Sequence, residues 1–203
     1  MKKSHSLASK TLIMKKTIFH AAFILMALTA LNSCSSKKGI TMKNPCTKAT
    51  SDKNFIRANM NASSSDLAMS SEMSLFNSKD RLAQLISSDM KRVSEAYKKQ
   101  RNIAGTSEFD QKFESTVRDV VSETLREISI VCEETTKTTK QRENGTNYDS
   151  YTTWTSIECS RETIYNGINS SLSNDEKLRQ DYDAAKFREV FNEEINKLEK
   201  EQP

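Results

Sequence analysis

Glycine and histidine are scarce in this chain, and each scarcity removes a class of function. The four glycines, Gly39, Gly105, Gly145 and Gly167, are scattered, so the clustered loops whose N–H groups cradle phosphate are missing. Both histidines, His5 and His20, fall before residue 33, in a stretch read below as a removed signal. Without imidazole, Ser-His-Asp and Cys-His arrangements lack their base, and most zinc sites lack a ligand. Three cysteines follow Cys34, widely spaced and with no C-x-x-C pair, one fewer than a thiolate-only zinc site requires. Carboxylates are plentiful but sit in mixed-charge helical runs, which ordinarily form solvated faces. A pair such as Glu133 and Glu158, adjacent on predicted strands, is the one remaining route to hydrolysis. An excess of positive charge is missing as well. Five of the 31 basic residues (Lys2, Lys3, Lys10, Lys15, Lys16) precede residue 33, where no acidic residue occurs, leaving 26 basic residues against 27 acidic. No nucleic-acid footprint follows from that balance. The expectation is a protein that is not an enzyme and takes no cofactor, no metal and no nucleic acid.

What the chain does have is an export signal. Lys15 and Lys16 begin it, Thr17 to Leu31 is uncharged and mostly apolar, and Leu31-Asn32-Ser33-Cys34 ends it. The apolar run is shorter than the roughly 18–20 residues a spanning helix needs, and fits a signal core. Met14 offers a second start for the same signal. The four terminal residues resemble the lipobox of bacterial lipoproteins, which implies cleavage between Ser33 and Cys34 and lipidation of the Cys34 thiol. One acyl chain anchors marginally; two or three hold stably. Ser35 and Ser36 stand where an inner-membrane retention signal would place Asp, so the expected location is the outer membrane, lipid-anchored and facing the periplasm.

Three segments result: a signal over 1–33, a lipidated flexible tether over 34–53, and a single periplasmic domain over 54–203. Within the domain, Asn54 to Met60 reads as a short strand with Phe55 as its core residue. Asp66 to Asn102 reads as a long helix, with Ser63, Ser64 and Ser65 as cap candidates. Met69, Met73, Phe76, Ala83, Ile86, Met90, Val93 and Tyr97 recur there at spacings of three, four or seven, forming one apolar stripe. A second helix spans Ser107 to Ile128. A third opens at Ser173, with Glu176 completing a capping box, and buries Leu178, Tyr182, Ala185, Val190, Phe191, Ile195 and Leu198.

Between the second and third helices the period falls to two. Ser129 to Arg142 and Tyr148 to Tyr165 read as the arms of a hairpin turned at Asn144-Gly145. A four-residue loop, Asn144 to Asn147, sets Cys132 opposite Cys159 and permits a disulfide there. A two-residue turn would set Ile157 opposite Cys132 instead, and Cys46 could also pair with either cysteine. Tyr148, Tyr151 and Trp154 place aromatics on the projecting arm, a candidate surface for self-association or for an envelope partner. The fold class is therefore α+β: a small antiparallel sheet, made of a short first strand plus a long hairpin, with three helices packed on one face.

The lipobox, the strand with Phe55-Ile56-Arg57-Ala58, the helix with Lys79-Asp80-Arg81-Leu82-Ala83, the Phe-rich helix, the hairpin and the closing helix together resemble the LPP-type family of bacterial outer-membrane lipoproteins. That resemblance implies an outer-membrane-associated protein without catalysis, some of whose flagellum-associated relatives build envelope rings. The expected function is cell-envelope structure or assembly through protein–protein contacts, with the membrane engaged by the lipid anchor. The alternative is a small-ligand or lipid carrier with Met69, Met73 and Phe76 lining a groove between sheet and long helix.

Overall fold

A computed structural model describes residues 43–47, 50–102, 107–178 and 182–201. The signal, its cleavage site at Ser33 and the lipidation site Cys34 lie outside the described residues. The order of elements is β1 (Phe55–Ser64), α1 (Leu67–Arg101), α2 (Ser107–Thr124), β2 (Ser129–Gln141), β3 (Asn147–Ser160), α3 (Arg161–Ser173) and α4 (Ala184–Glu201). Among the described residues the fold is α+β, with a three-stranded antiparallel sheet in the order β1-β3-β2 and four helices rather than the expected three.

The extra helix comes from the end of the hairpin. The strand expected to reach Tyr165 stops at Ser160, whose hydroxyl accepts the Thr163 N–H and caps α3. Ile164, Tyr165, Ile168 and Leu172 then repeat at helical spacing and are buried. Ser173 ends this helix instead of opening the last one, so the Ser173–Glu176 capping box does not form. Asp175 Oδ1 accepts the N–H groups of Lys177 and Leu178 in a turn. α4 starts only at Ala184, where Asp183 Oδ1 accepts the Lys186 N–H at 2.9 Å.

α1 is the frame, about 50 Å long at ~1.5 Å per residue. Asp66 rather than the preceding serines caps it, accepting the Met69 N–H at 2.8 Å. Asn102 closes it in the left-handed conformation (φ 52°), with its N–H turned back to the carbonyls of Lys98 and Lys99. Its N-terminal half lies along β1 and β3. Around its C-terminal half the other helices assemble an aromatic cluster. Tyr97 and Phe187 meet edge to face at 5.6 Å, Phe109 stacks on Phe113 at 6.0 Å, and Tyr165 meets Phe191 at 5.3 Å. Thus α1 alone among the helices runs along the sheet, where the expectation placed all three on its face. α2 packs closely on α3 because Gly167 has no Cβ; one built there would sit 2.9 Å from Val120 Cγ2.

β1 is ten residues long, not short, and its buried residues are Ile56, Ala58 and Ala62. Phe55, the expected core residue, falls on the alternate positions and lies half-buried under the Arg57 guanidinium, 5.3 Å from its ring centroid. Buried Arg161 ties three parts together. It pairs with Asp89 of α1 at 2.8 Å and donates from Nε to the Asp52 carbonyl, while its N–H bonds to the Asn54 carbonyl. Burial pushes the Asp89 carboxyl above its usual range against the opposing pull of Arg161.

The hairpin loop has neither of the two lengths considered from sequence. Gly145 takes a positive φ of 83° and its N–H bonds to the Arg142 carbonyl, while the Arg142 N–H bonds to the Thr146 carbonyl. This is a three-residue loop with Gly145 in the left-handed position. It sets Cys132 opposite Ser156, and a β-bulge between Ile130 and Cys132 shifts the register only beyond that point. Cys159 belongs to the other face of β3 and pairs in register with Ile56. The expected Cys132–Cys159 disulfide is thereby ruled out by register. Cys132 is bonded instead to Cys46, with a Cα–Cα distance of 5.8 Å, and Cys159 is a buried free thiol.

Cys46 brings part of the expected tether into the fold. It is 2% exposed, and Asn59 Nδ2 donates to its carbonyl at 2.9 Å. Further along, Ser51 Oγ accepts the Arg57 N–H at 2.8 Å and donates to the Arg57 carbonyl at 3.2 Å. The compact unit accordingly begins at Asn44, and Asn44, Cys46, Ser51 and Asp52 of the expected flexible tether are hydrogen-bonded to the domain.

Peptide mapping without reduction should return a linked Cys46–Cys132 pair. Cys159 should alkylate only after denaturation, because burial raises its thiol to about 12. A Cys132–Cys159 linkage would refute the register. Reducing the bridge, whose cysteines are 86 residues apart, should lower stability by about 4 kcal/mol, measured by denaturant titration.

Candidate functional site

The surfaces able to engage a partner follow from an inversion in α1. Along its first three turns the residues facing the sheet are serines. Ser70, Ser74 and Ser78 are fully buried. Small side chains let the helix backbone come close to the strands, but each buried hydroxyl then needs a partner. Each has one. Ser70 Oγ accepts the Thr153 N–H at 3.0 Å, Ser74 Oγ donates to the Met60 carbonyl at 3.1 Å, and Ser78 Oγ donates to the Thr155 carbonyl at 2.7 Å. Thr135 and Thr153 continue this hydroxyl layer across the hairpin, 2.9 Å apart.

The apolar residues of the same turns consequently face solvent. Phe76 is 71% exposed and Met69 and Met73 nearly half exposed. Both sequence expectations for these three fail: they are not core, and they do not line a groove between α1 and the sheet. Ile86, Met90, Val93 and Tyr97, in the second half of the same stripe, are buried as expected, whereas Ala83 is only partly buried and its neighbour Leu82, outside the stripe, is fully buried.

The hairpin aromatics do not form one surface. Alternation along β3 puts Thr153, Thr155, Ile157 and Cys159 toward α1 and Trp154 and Tyr148 on the opposite face, with Tyr151 on the α1 side. Each is half-buried. Tyr151 carries Lys137 over its ring at 5.8 Å and Tyr148 carries Arg142 at 5.3 Å. Trp154 lies beside the docked Cys46 segment, and its Nε1 and the neighbouring Ser156 Oγ are buried without a hydrogen-bond partner among the described residues. The hairpin therefore splits the predicted patch between two faces.

Glu133 and Glu158 are likewise separated. Glu133 pairs in register with Thr155 on the α1 side and accepts from Ser71 Oγ. Glu158 lies on the other face and receives the Arg57 Nε at 2.7 Å. The two carboxylates share no cleft. Among the described residues no cluster of His, Cys, Asp or Glu could hold a metal ion, and no helix is long and apolar enough to cross a membrane.

Sequence reasoning missed one concavity. α1 and α2 diverge to leave a groove of about 610 Å³ with Ala83, Phe113, Val117 and Val121 on its apolar floor. Its rim carries Lys91, Glu95, Glu114 and Arg118, and Lys98 bridges the helices to Asp110. The signal was present in Ala83, Ser87 and Ser94, small residues at helical spacing on one side of α1.

Substituting Ser74→Leu should cost about 1–3 kcal/mol through overpacking and a lost hydrogen bond. Phe76→Ser should change stability by under about 0.5 kcal/mol. Urea melts of both variants check the inversion; a larger loss at Phe76 would contradict it. No protein-family model matches the chain, and comparison with curated proteins and with solved structures finds none similar to it.

Proposed function

We propose that this chain is a membrane-anchored bacterial lipoprotein whose domain serves cell-envelope structure or assembly, without catalysis, through protein–protein contacts. The observation that carries the reading is the Cys46–Cys132 disulfide. Such bonds persist where the compartment is oxidising, as the periplasm is, and this one fastens the start of the domain to its sheet. About a dozen residues separate Cys46 from the lipobox cysteine Cys34, a reach of roughly 40 Å at most, so an acylated Cys34 would hold the domain close to a bilayer. The resemblance to outer-membrane lipoproteins, together with Ser35 and Ser36 after the cysteine, supports the periplasmic face of the outer membrane. Exposed apolar residues at Met69, Met73 and Phe76 support a role in contacts with other proteins.

A second reading, a carrier of a small ligand or lipid, is favoured by the α1–α2 groove. Its volume lies within the roughly 300–1,000 Å³ of small-molecule sites, and its apolar floor with a charged rim suits an amphiphile.

Expressed in a bacterial host, the full-length chain should lose residues 1–33, gain the mass of acyl chains and fractionate with membranes. The Cys34→Ala variant should retain its signal and carry no acyl mass. An unmodified, soluble wild-type protein would defeat the proposal. Native mass spectrometry of protein extracted without denaturation should show no bound small molecule, on monomer or dimer, under the first reading. A retained ligand, displaced by Val117→Trp in the groove floor, would favour the carrier.

A further inference from the structure

The sheet has two edges, and they are treated differently. On the β1 edge, Ser51 occupies both backbone groups of Arg57, as a paired strand residue would, and Asn77 Nδ2 donates to the Asn61 carbonyl at 3.3 Å. Helix α1 and the docked 50–52 segment thus close that edge. The β2 edge has no such cover. Among the described residues no strand pairs with its outer side and no side chain or loop hydrogen-bonds to its backbone. β2 is thirteen residues long, exposed at every position but Cys132, and contains no proline. Its bulge lies at one end, between Ile130 and Cys132, and the Cys46 disulfide is at that same end, so Glu133 to Gln141 is a regular, bare strand edge of the kind that accepts another strand. Ile130 and Val131, 51% and 41% exposed, sit beside it.

The charges along β2 say what fits there. Its first half carries Glu133 and Glu134, and its second half Lys137 and Lys140. Such a strand is complementary to its own antiparallel copy. When the strand is paired about Thr135, each Glu133 stands opposite the other copy's Lys137, and no like charges oppose one another. Glu133 and Lys137 also share a face, since their β3 partners are Thr155 and Tyr151, as direct cross-strand pairing requires. A register centred on Lys137 would set lysine against lysine. We propose that β2 pairs with β2 of a second copy of this chain, antiparallel and centred on Thr135, joining the two sheets into one.

The symmetry axis of that pairing runs perpendicular to the sheet, so both copies turn the same face the same way. Both Cys46 segments then lie on one side, and two anchors can reach one membrane. The pairing names the partner within the envelope reading above; it stands on the strand edge, and its test does not depend on acylation.

The experiment uses the full chain in detergent and its Cys34→Ala form, followed by analytical ultracentrifugation over a concentration series. Both should give a dimer weakened by salt. Glu133→Lys or Lys137→Glu should each raise the dissociation constant about tenfold, and the combined exchange should restore it, which excludes misfolding as the cause. Thr135→Cys should cross-link to itself under a short bismaleimide, whereas Thr139→Cys should not. A monomer at every concentration, a dimer indifferent to both charge changes, or cross-linking through Thr139→Cys alone would overturn the proposal. Association of the edge with a strand of another protein and never with its own copy would overturn it too. Loss of membrane attachment with the dimer intact would count against the anchor and leave the pairing standing.

Discussion

A buried hydroxyl must be hydrogen-bonded, and the geometry of this domain depends on how that requirement is met between α1 and the sheet. A threonine-rich strand pair offers little apolar surface for a helix to cover. Serines at 70, 74 and 78 resolve this by being short enough for close approach and by bonding to strand backbone at Thr153, Met60 and Thr155. The hydroxyl layer contributes modestly as net stabilisation, since each bond replaces one to water. Its larger effect is on register, because a helix shifted along the sheet would strand three hydroxyls in a dry interface.

Two consequences reach the surface. The first three turns of α1 have their helix-to-sheet face taken by serines, so Met69, Met73 and Phe76 are left outside. The second half of the helix carries the ordinary arrangement, with Tyr97, Phe109, Phe113 and Phe187 packed about it. One helix therefore joins a polar sheet interface to an aromatic helical core, and buried Arg161 links Asp89 of that helix to the backbone at Asp52 and Asn54. An ion pair so placed holds its position because either partner alone would be an uncompensated buried charge.

The N-terminal segment gives the sheet its asymmetry. Ser51 and Asp52 engage Arg57 and Arg161, which covers the β1 edge, while Cys46 is bonded to Cys132 near the start of β2. The β2 edge receives nothing comparable. An edge strand left open is ordinarily an aggregation hazard, and the charge order along β2 restricts which strand can add to it.

Sequence by itself determined the α+β class, the long helix from Asp66 to Asn102, the helix after Ser107 and a hairpin turned at Asn144-Gly145, because period and turn chemistry are local properties. It also determined what the domain lacks, since the scarcity of glycine and the absence of histidine after residue 33 need no coordinates. Tertiary structure decided the rest. Loop length chose among the registers that local chemistry allowed, which separated Cys132 from Cys159 and left it to Cys46. Periodicity could not tell which end of an apolar stripe would be covered, because the stripe of α1 continues unbroken through Met69, Met73 and Phe76. The competing serine stripe becomes visible only when strand carbonyls stand opposite it. Likewise an edge is a property of the assembled sheet: nothing local to Glu133, Glu134, Lys137 and Lys140 reveals that their strand would be the uncovered one.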